Sequence, residues 1–298
     1  MSERDARPFG GRDSVMKVSG FTFCRDMVRL NYPVVESITS ILPVVDEYIV
    51  NVGDSDDGTL DLVKSIKSEK IKIIESIWDD TMRKDGRVLA EQANIALAHC
   101  TGDWAFYLQA DEVVHENDLP KLAKLMSDHL HPSDVLGFMF RYLHFWCDYH
   151  TVNPWAYRRE VRIVRNNGEM RVAGDGCGFR KKPCGMVLDK KRLGREVIWT
   201  GAKMYHYGWV NRPESILRKV RIRERLWRGD APMEEQEERA RSKAELYGHD
   251  YATMKEFTGS HPKVMEERIR SIPRLMKRRS RWLTWRFYKT VLHRGFKG

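Results

Sequence analysis

Residues 104–112 read WAFYLQADE, a charge-free run that ends in two acids, Asp111 and Glu112. Its first five residues are all apolar, and Thr101-Gly102 precedes them. That length suits a buried strand better than a helix, which needs ten or more residues. Just upstream, 87–99 carries Leu89, Ala93, Ala96 and Leu97 at helical spacing, and the glycine stops that helix before the strand starts.

The same alternation extends in both directions. Towards the N-terminus, 18–23, 47–52 and 70–75 (KIKIIE) read as strands and 33–42 and 59–66 as helices, the second marked at its start by Asp57-Gly58. Towards the C-terminus, 120–130 reads as a helix, 135–143 and 160–164 as strands with a polar, aromatic loop between them, and the chain from Pro213 on as helical and charged. Strands alternating with helices predict an α/β fold, a mostly parallel sheet flanked by helices, with a helical basic C-terminal extension. In such sheets ligands collect beyond the carboxyl ends of the strands, where Asp111 and Glu112 fall.

Composition narrows the class. Hydrophobic residues at 42% and charged residues at 32% exclude a disordered or fibrous chain. Five scattered cysteines (Cys24, Cys100, Cys147, Cys177, Cys184) offer no paired spacing for zinc and read as free thiols of a reducing compartment. Net charge is +10, all of it in the tail: residues 1–215 hold 30 Lys and Arg against 31 Asp and Glu, and 216–298 hold 22 against 11.

Three ordered blocks carry a resemblance. They are Gly53-Asp54-Ser55-Asp56-Asp57-Gly58-Thr59 after the second strand, the helix with Gln92 and Asn94, and Gly102-Asp103-Trp104 leading into Gln109-Ala110-Asp111-Glu112. Over 16–115 they resemble the nucleotide-binding half of the family-2 glycosyltransferases of GT-A fold. The resemblance implies a nucleotide-binding half at 14–125 and an acceptor half at 126–215 of one domain, with 216–298 as the extension. It implies transfer of a sugar from a nucleotide-diphosphate sugar to a hydroxyl acceptor. A non-catalytic nucleotide-sugar or carbohydrate-binding relative stays open as the alternative. Nucleotide-sugar contacts fall to Phe23, Arg25, Asp54, Arg87, Gln109, Ala110 and Asp111. In the family an Asp-x-Asp motif holds Mn²⁺ or Mg²⁺ on the diphosphate, because hard cations prefer carboxylate oxygens. Here Gln109 stands first, so the metal would lean on Asp111.

Asp54 would select uridine through the uracil imide, or else it shares a turn and cap with Asp56 and Asp57. Arg87, with Arg83 and Lys84, would reach the diphosphate, or else lies at an exposed helix start. Tyr205-His206-Tyr207-Gly208-Trp209 resembles a segment of a bacterial subgroup acting on lipopolysaccharide core sugars, which implies His206 as a third metal ligand and a cell-envelope glycan or glycolipid acceptor. An inverting reaction needs a base for the acceptor proton, and Asp175 is the candidate, with Asp148 second. Tyr142, His144, Phe145, Trp146, Tyr149, Trp155 and Tyr157 would stack on sugars or fill the core.

Residues 274–294 interleave basic and aromatic residues as a membrane-surface helix does, or else form a helix packed on the domain. With a charged N-terminus and no run of about 18 apolar residues, the expectation is a cytoplasmic protein with peripheral contact at the inner membrane face. Nucleic acid is not an expected partner, since the acidic strand end would repel phosphate without metal.

Overall fold

The alternation at 104–107 decides which side chains point to which face of the sheet. In the computed structural model Trp104 and Phe106 enter one apolar cluster, Ala105 and Tyr107 a second on the opposite face, all buried. The structure describes residues 15–272 and 274, apart from 80, 83, 132, 133, 212, 230 and 250–253. Arg83 and the expected amphipathic tail beyond 274 lie outside the described residues.

The strands are β1 (Val18–Cys24), β2 (Glu47–Gly53), β3 (Ile71–Ser76), β4 (Trp104–Tyr107), β5 (Glu112–Val114), β6 (Gly137–Trp146), β7 (Asp148–Val152), β8 (Arg159–Arg165), β9 (Met170–Ala173), β10 (Gly178–Lys181), β11 (Met186–Val187), β12 (Val197–Trp209) and β13 (Lys255–Glu256). The helices are α1 (Met27–Leu30), α2 (Val34–Ile41), α3 (Thr59–Lys64), α4 (Arg87–Ala98), α5 (Leu119–Asp128), α6 (Pro213–Trp227), α7 (Met233–His249) and α8 (Glu266–Ser271). The main sheet runs β3-β2-β1-β4 in parallel. It then continues antiparallel through β8 and β6. β12 lies parallel to β6 and antiparallel to β5. β7 and β13 close the far edge, and β9, β10 and β11 form a separate three-stranded sheet.

Helices cover both faces. Val34, Ile38 and Ile41 of α2 and Leu119, Leu122 and Met126 of α5 fill the first cluster, and Ala90, Ala93, Ala96 and Leu97 of α4 fill the second beside Val172 and Phe179. Each large side chain so buried stabilises the fold by about 1.5–3 kcal/mol. A third cluster packs Phe145, Tyr149, Tyr205 and Tyr207 under Met265, with half-buried Phe257.

The elements expected over the parallel half are present with ends moved by a residue or two. The stretch expected as a polar, aromatic loop instead extends β6 to Trp146 and forms β7, and the strands at 170–209 were not expected. β9 to β11 are two to four residues long, and β12 changes register between Trp199 and Lys203, so neither shows sustained alternation. The extension is helical through α6, α7 and α8, and β13 interrupts it to pair with β7.

Candidate active site

The chemistry gathers where β4 ends. Its last turn leads into β5, and β5 pairs with β12 so that His206 stands opposite Glu112 while Tyr207 N–H donates to the Asp111 carbonyl at 2.8 Å. That register brings His206 beside Asp111 across nearly a hundred residues of sequence.

The two adjacent acids have different surroundings. Glu112 is fully buried and takes a two-pronged pair from Arg162, Nε and Nη2 both at 2.8 Å, plus the Tyr142 hydroxyl at 2.7 Å. Burial alone would push its pKa up, but the Arg162 charge and hydrogen bonds hold it below the usual carboxylate value. Asp111 instead faces a cavity of about 430 Å³. Its Oδ2 lies 3.5 Å from His206 Nε2 and 3.8 Å from Lys219 Nζ.

The cavity opens beyond the carboxyl ends of β1, β3 and β4, and α6 walls its other side. Lys219 reaches in from α6 with its side chain 13% exposed, donates to the Gly208 carbonyl, and sits 4.4 Å over the Trp209 ring and 4.8 Å over that of Tyr32. Burial lowers its pKa to about 8, against the pull of Asp111. Burial likewise lowers the pKa of His206. A Cβ on Gly208 would collide with Asp111 Oδ2 and come within 2.7 Å of Lys219 Nζ, so a side chain here would displace the two charged ends from where they now meet. At the other end of α6, Trp227 lies against Gly86, where a Cβ would fall 2.9 Å from the ring, and Gly86 N–H donates to the Leu226 carbonyl at 3.1 Å.

Of the residues singled out in the sequence, Phe23, Arg25, Gln109, Ala110, Asp111, Asp175, Tyr157 and His206 line this cavity. The two residues that follow Asp175 are anchored: Gln109 Nε2 donates to the Gly176 carbonyl at 3.3 Å and Arg162 Nη1 to the Cys177 carbonyl at 2.7 Å. Cys177 also lines the cavity, and burial pushes its thiol up to about 12, which removes it as a nucleophile. Asp54 does not line the cavity, but it fixes two residues that do. Its carboxylate accepts from Trp78 N–H at 3.1 Å, and its carbonyl accepts from Arg25 Nε at 2.9 Å. Asp57 serves the turn, accepting from Thr59 N–H at 3.0 Å and Arg29 N–H at 2.8 Å.

Arg87 is exposed at the start of α4 and is not part of the lining. Asp148 is fully buried at the start of β7, where it accepts from His150 N–H at 2.9 Å, so of the two candidate bases only Asp175 lines the cavity. Gln92 and Asn94 tie elements together: Gln92 joins Asn51 of β2 at 2.9 Å and Ser76 of β3 at 2.7 Å, and Asn94 holds Val172 of β9. Phe145 and Tyr149 belong to the third core cluster, and Trp146 stacks on Trp209 at 4.9 Å.

A divalent cation at Asp111 would find one carboxylate and the His206 imidazole. Glu112 is taken by Arg162, position 109 is an amide committed to Gly176, and the remaining neighbour of Asp111 Oδ2 is itself a cation. Among the described residues no three His, Cys, Asp or Glu side chains gather to hold a metal. The protein itself therefore offers one oxygen and one nitrogen donor, with every further position left to diphosphate oxygens and water, and a cation already stands 3.8 Å from Asp111 Oδ2, so no step below is routed through a metal.

Lys219, Arg162, Tyr32, Trp78 and Trp227 also shape the site and were not expected from the sequence. Arg162 carried one signal, a charge inside the apolar run Val161, Ile163, Val164. Lys219 carried another, since Lys219, Arg223 and Trp227 recur at four-residue spacing on one helical face.

The family model for "Glycosyl transferase family 2" matches residues 32–187, more than half of the chain. No curated protein matches it in sequence. Among solved structures, S. aureus TarS is 15% identical at a TM-score of 0.42, covering 79% of this chain and 44% of that one, so this chain spans less than half the length of TarS. TarS 1-349 in complex with UDP-GlcNAc is 15% identical at 0.41, covering 79% and 73%. Glucosyl-3-phosphoglycerate synthase from Mycobacterium tuberculosis, in complex with Mn²⁺, UDP and glucosyl-3-phosphoglycerate, is 14% identical at 0.36, covering 59% and 68%. Similarities this distant carry no argument about this chain, and the assignment rests on the family match.

Proposed function

The chain belongs to glycosyl transferase family 2, and on that premise we propose that it transfers a sugar from a nucleotide-diphosphate sugar to a hydroxyl acceptor with inversion at the anomeric carbon. The observation that carries the reading is the single cavity at the carboxyl ends of β1, β3 and β4, into which Asp111, Asp175, His206 and Lys219 all project. In this reading the acceptor oxygen attacks the anomeric carbon, the bond from that carbon to the β-phosphate oxygen breaks, and its electron pair leaves on the phosphate. Asp175 takes the acceptor's proton. Gly176 and Cys177 are held by Gln109, just past the end of β4, and by Arg162 of β8, which limits drift of the base beside them. Trp78, Arg25 and Phe23 form the wall for the nucleoside: Arg25 lies 5.2 Å over the Trp78 ring, and Phe23 is 5.9 Å from it.

The finer terms of the reading are a uridine nucleotide, a hexosyl donor, and a cell-envelope glycan or glycolipid acceptor of the kind the lipopolysaccharide-core subgroup uses. The motif at 205–209 supports the subgroup. A cytoplasmic site at the inner membrane face belongs to the same reading, and among the described residues no helix is long and apolar enough to cross a membrane.

The test is incubation of the full chain with UDP-, GDP-, ADP- and TDP-linked sugars, watching for slow release of the nucleoside diphosphate. Release from one donor is the expected result. Binding of a donor with no release under any acceptor would favour the non-catalytic relative, and no binding at all would overturn the donor reading.

A further inference from the structure

We propose that the Lys219 ammonium, in place of a divalent cation, is the charge that meets the leaving diphosphate. The inference deepens the donor reading above and rests on it. Four observations converge.

Lys219 Nζ is buried in the cavity 3.8 Å from the strand-end carboxylate that a metal would use, so the cationic position beside Asp111 is already filled from within the chain. Its ammonium has three N–H donors, and among the described residues only the Gly208 carbonyl accepts a hydrogen bond from it. Asp111 at 3.8 Å supplies charge without a hydrogen bond, which leaves donors for an anion in the cavity. The aromatic faces of Tyr32 and Trp209 hold the ammonium without consuming a donor. Finally, Gly208 leaves room for acid and cation to meet, and Gln109, an amide committed to the Gly176 carbonyl, leaves Asp111, among the described residues, as the one carboxylate at that strand end that faces the cavity.

One turn further along α6, Arg223 also lines the cavity, stacked 5.2 Å over Trp227. Two fixed cations on one helical face suit a diphosphate, whose charge spreads over two phosphates. As the bond to the anomeric carbon breaks, negative charge grows on the departing phosphate oxygen, and Lys219 donates a hydrogen bond to it from a position already fixed in the cavity wall. Lys219 gives up no proton. The acceptor's proton goes to Asp175, so charge and atoms balance without a metal.

The test is calorimetry of the full chain with UDP, GDP and ADP, first in EDTA and then with about 1 mM Mn²⁺, alongside the matching monophosphates. One diphosphate should bind in EDTA, with its affinity changing less than about threefold on adding Mn²⁺. Lys219→Met should weaken that diphosphate by roughly 10- to 100-fold, the range for a hydrogen bond to a charged group, and its monophosphate far less. Binding that vanishes in EDTA and returns with Mn²⁺ overturns the proposal and leaves the donor reading standing. So does a folded Lys219→Met protein, its thermal midpoint matching the parent, that binds as the parent does. If none of the three diphosphates binds under either condition, the donor reading falls and this proposal falls with it. The EDTA comparison uses the unmodified chain, so the proposal stays testable even if the variant does not fold.

Discussion

Glu112 and Asp111 are neighbours in sequence, yet each meets its cation under different conditions. Glu112 and Arg162 are both 0% exposed, joined at 2.8 Å and closed off by Tyr142. Asp111 and Lys219 stand 3.8 Å apart on the wall of a cavity. The first pair has every strong partner it needs inside the protein, so it holds β5, β8 and the 174–177 segment in place. The second is held apart by geometry and keeps donors in reserve. A sealed pair belongs to the fold, whereas an open pair is available to a ligand.

The sharpest way to break this contrast is Arg162→Met. It removes the positive member of the sealed pair and leaves Glu112 buried without its partner, which should cost about 3–5 kcal/mol. Urea denaturation of parent and variant measures it. A loss below about 1 kcal/mol would mean that the pair is not sealed and the contrast fails.

Glu160, two positions before Arg162 on β8, feels both regions. Burial pushes its carboxyl up to about 7; Arg162 pulls it down, and Glu112 and Asp175 add to the rise. Because the folded value lies above the unfolded one of 4.5, the unfolded chain ionises first as pH rises. Glu160 therefore contributes its stability in full below about pH 4.5 and loses it by about pH 7. Relative to the parent, Glu160→Gln should gain on the order of 3 kcal/mol between pH 4 and pH 8. Parallel stability curves across that window would show that Glu160 titrates alike in the folded and unfolded chain, and that burial does not raise it.

Asp175→Asn tests the open side. The amide keeps shape and loses basicity, so turnover should fall about 10²-fold or more while nucleotide affinity holds. That is smaller in free energy, ~2.7 kcal/mol, than the loss expected from the sealed pair. Unchanged turnover would remove Asp175 as the base.

The parallel half of the molecule was legible because each of its elements carries its own signal. Residues 104–107 alternate between two faces, α4 repeats at helical spacing, and Asp111 falls past a strand end. Those are local properties of a few consecutive residues. The roles of Arg162 and Lys219 were not legible beyond a faint local signal for the opposite reason, since each is defined by a residue far away in sequence. Arg162 looks like an outward charge until β8 is set against β4 and β6 and its side chain meets Glu112. Lys219 looks like one more base among Arg218, Arg221, Arg223 and Arg225 until the register of β12 on β5 places Gly208 and Trp209 beneath it. The aromatic loop misled by the same route. Phe145 and Tyr149 went to the third core cluster, and Tyr157 alone of that group lines the cavity, because ring chemistry does not say which side of a strand a residue faces.

Gln109 is where the fold and the site meet most closely, and Gln109→Asp is the mildest test of the contrast. The substitution restores the family's Asp-x-Asp pattern at 109–111. It also removes the N–H that donates to the Gly176 carbonyl at 3.3 Å, and a carboxylate has no hydrogen to offer there. The expected loss of stability is about 1 kcal/mol, the size of one ordinary hydrogen bond, readable as a shift in the urea midpoint with an unchanged slope. The binding consequence separates the two accounts of the site. If Lys219 supplies the counter-charge, a second carboxylate on the same wall repels the diphosphate, so binding in EDTA weakens and Mn²⁺ becomes able to restore it. If the parent site were already built for a metal, the added carboxylate would only strengthen Mn²⁺-dependent binding and leave binding in EDTA as poor as before. Titrating parent and variant with the same nucleoside diphosphate, with and without Mn²⁺, distinguishes them. A variant that binds in EDTA as tightly as its parent would show that position 109 does not face the phosphates, and would confine Gln109 to holding the segment that carries Asp175.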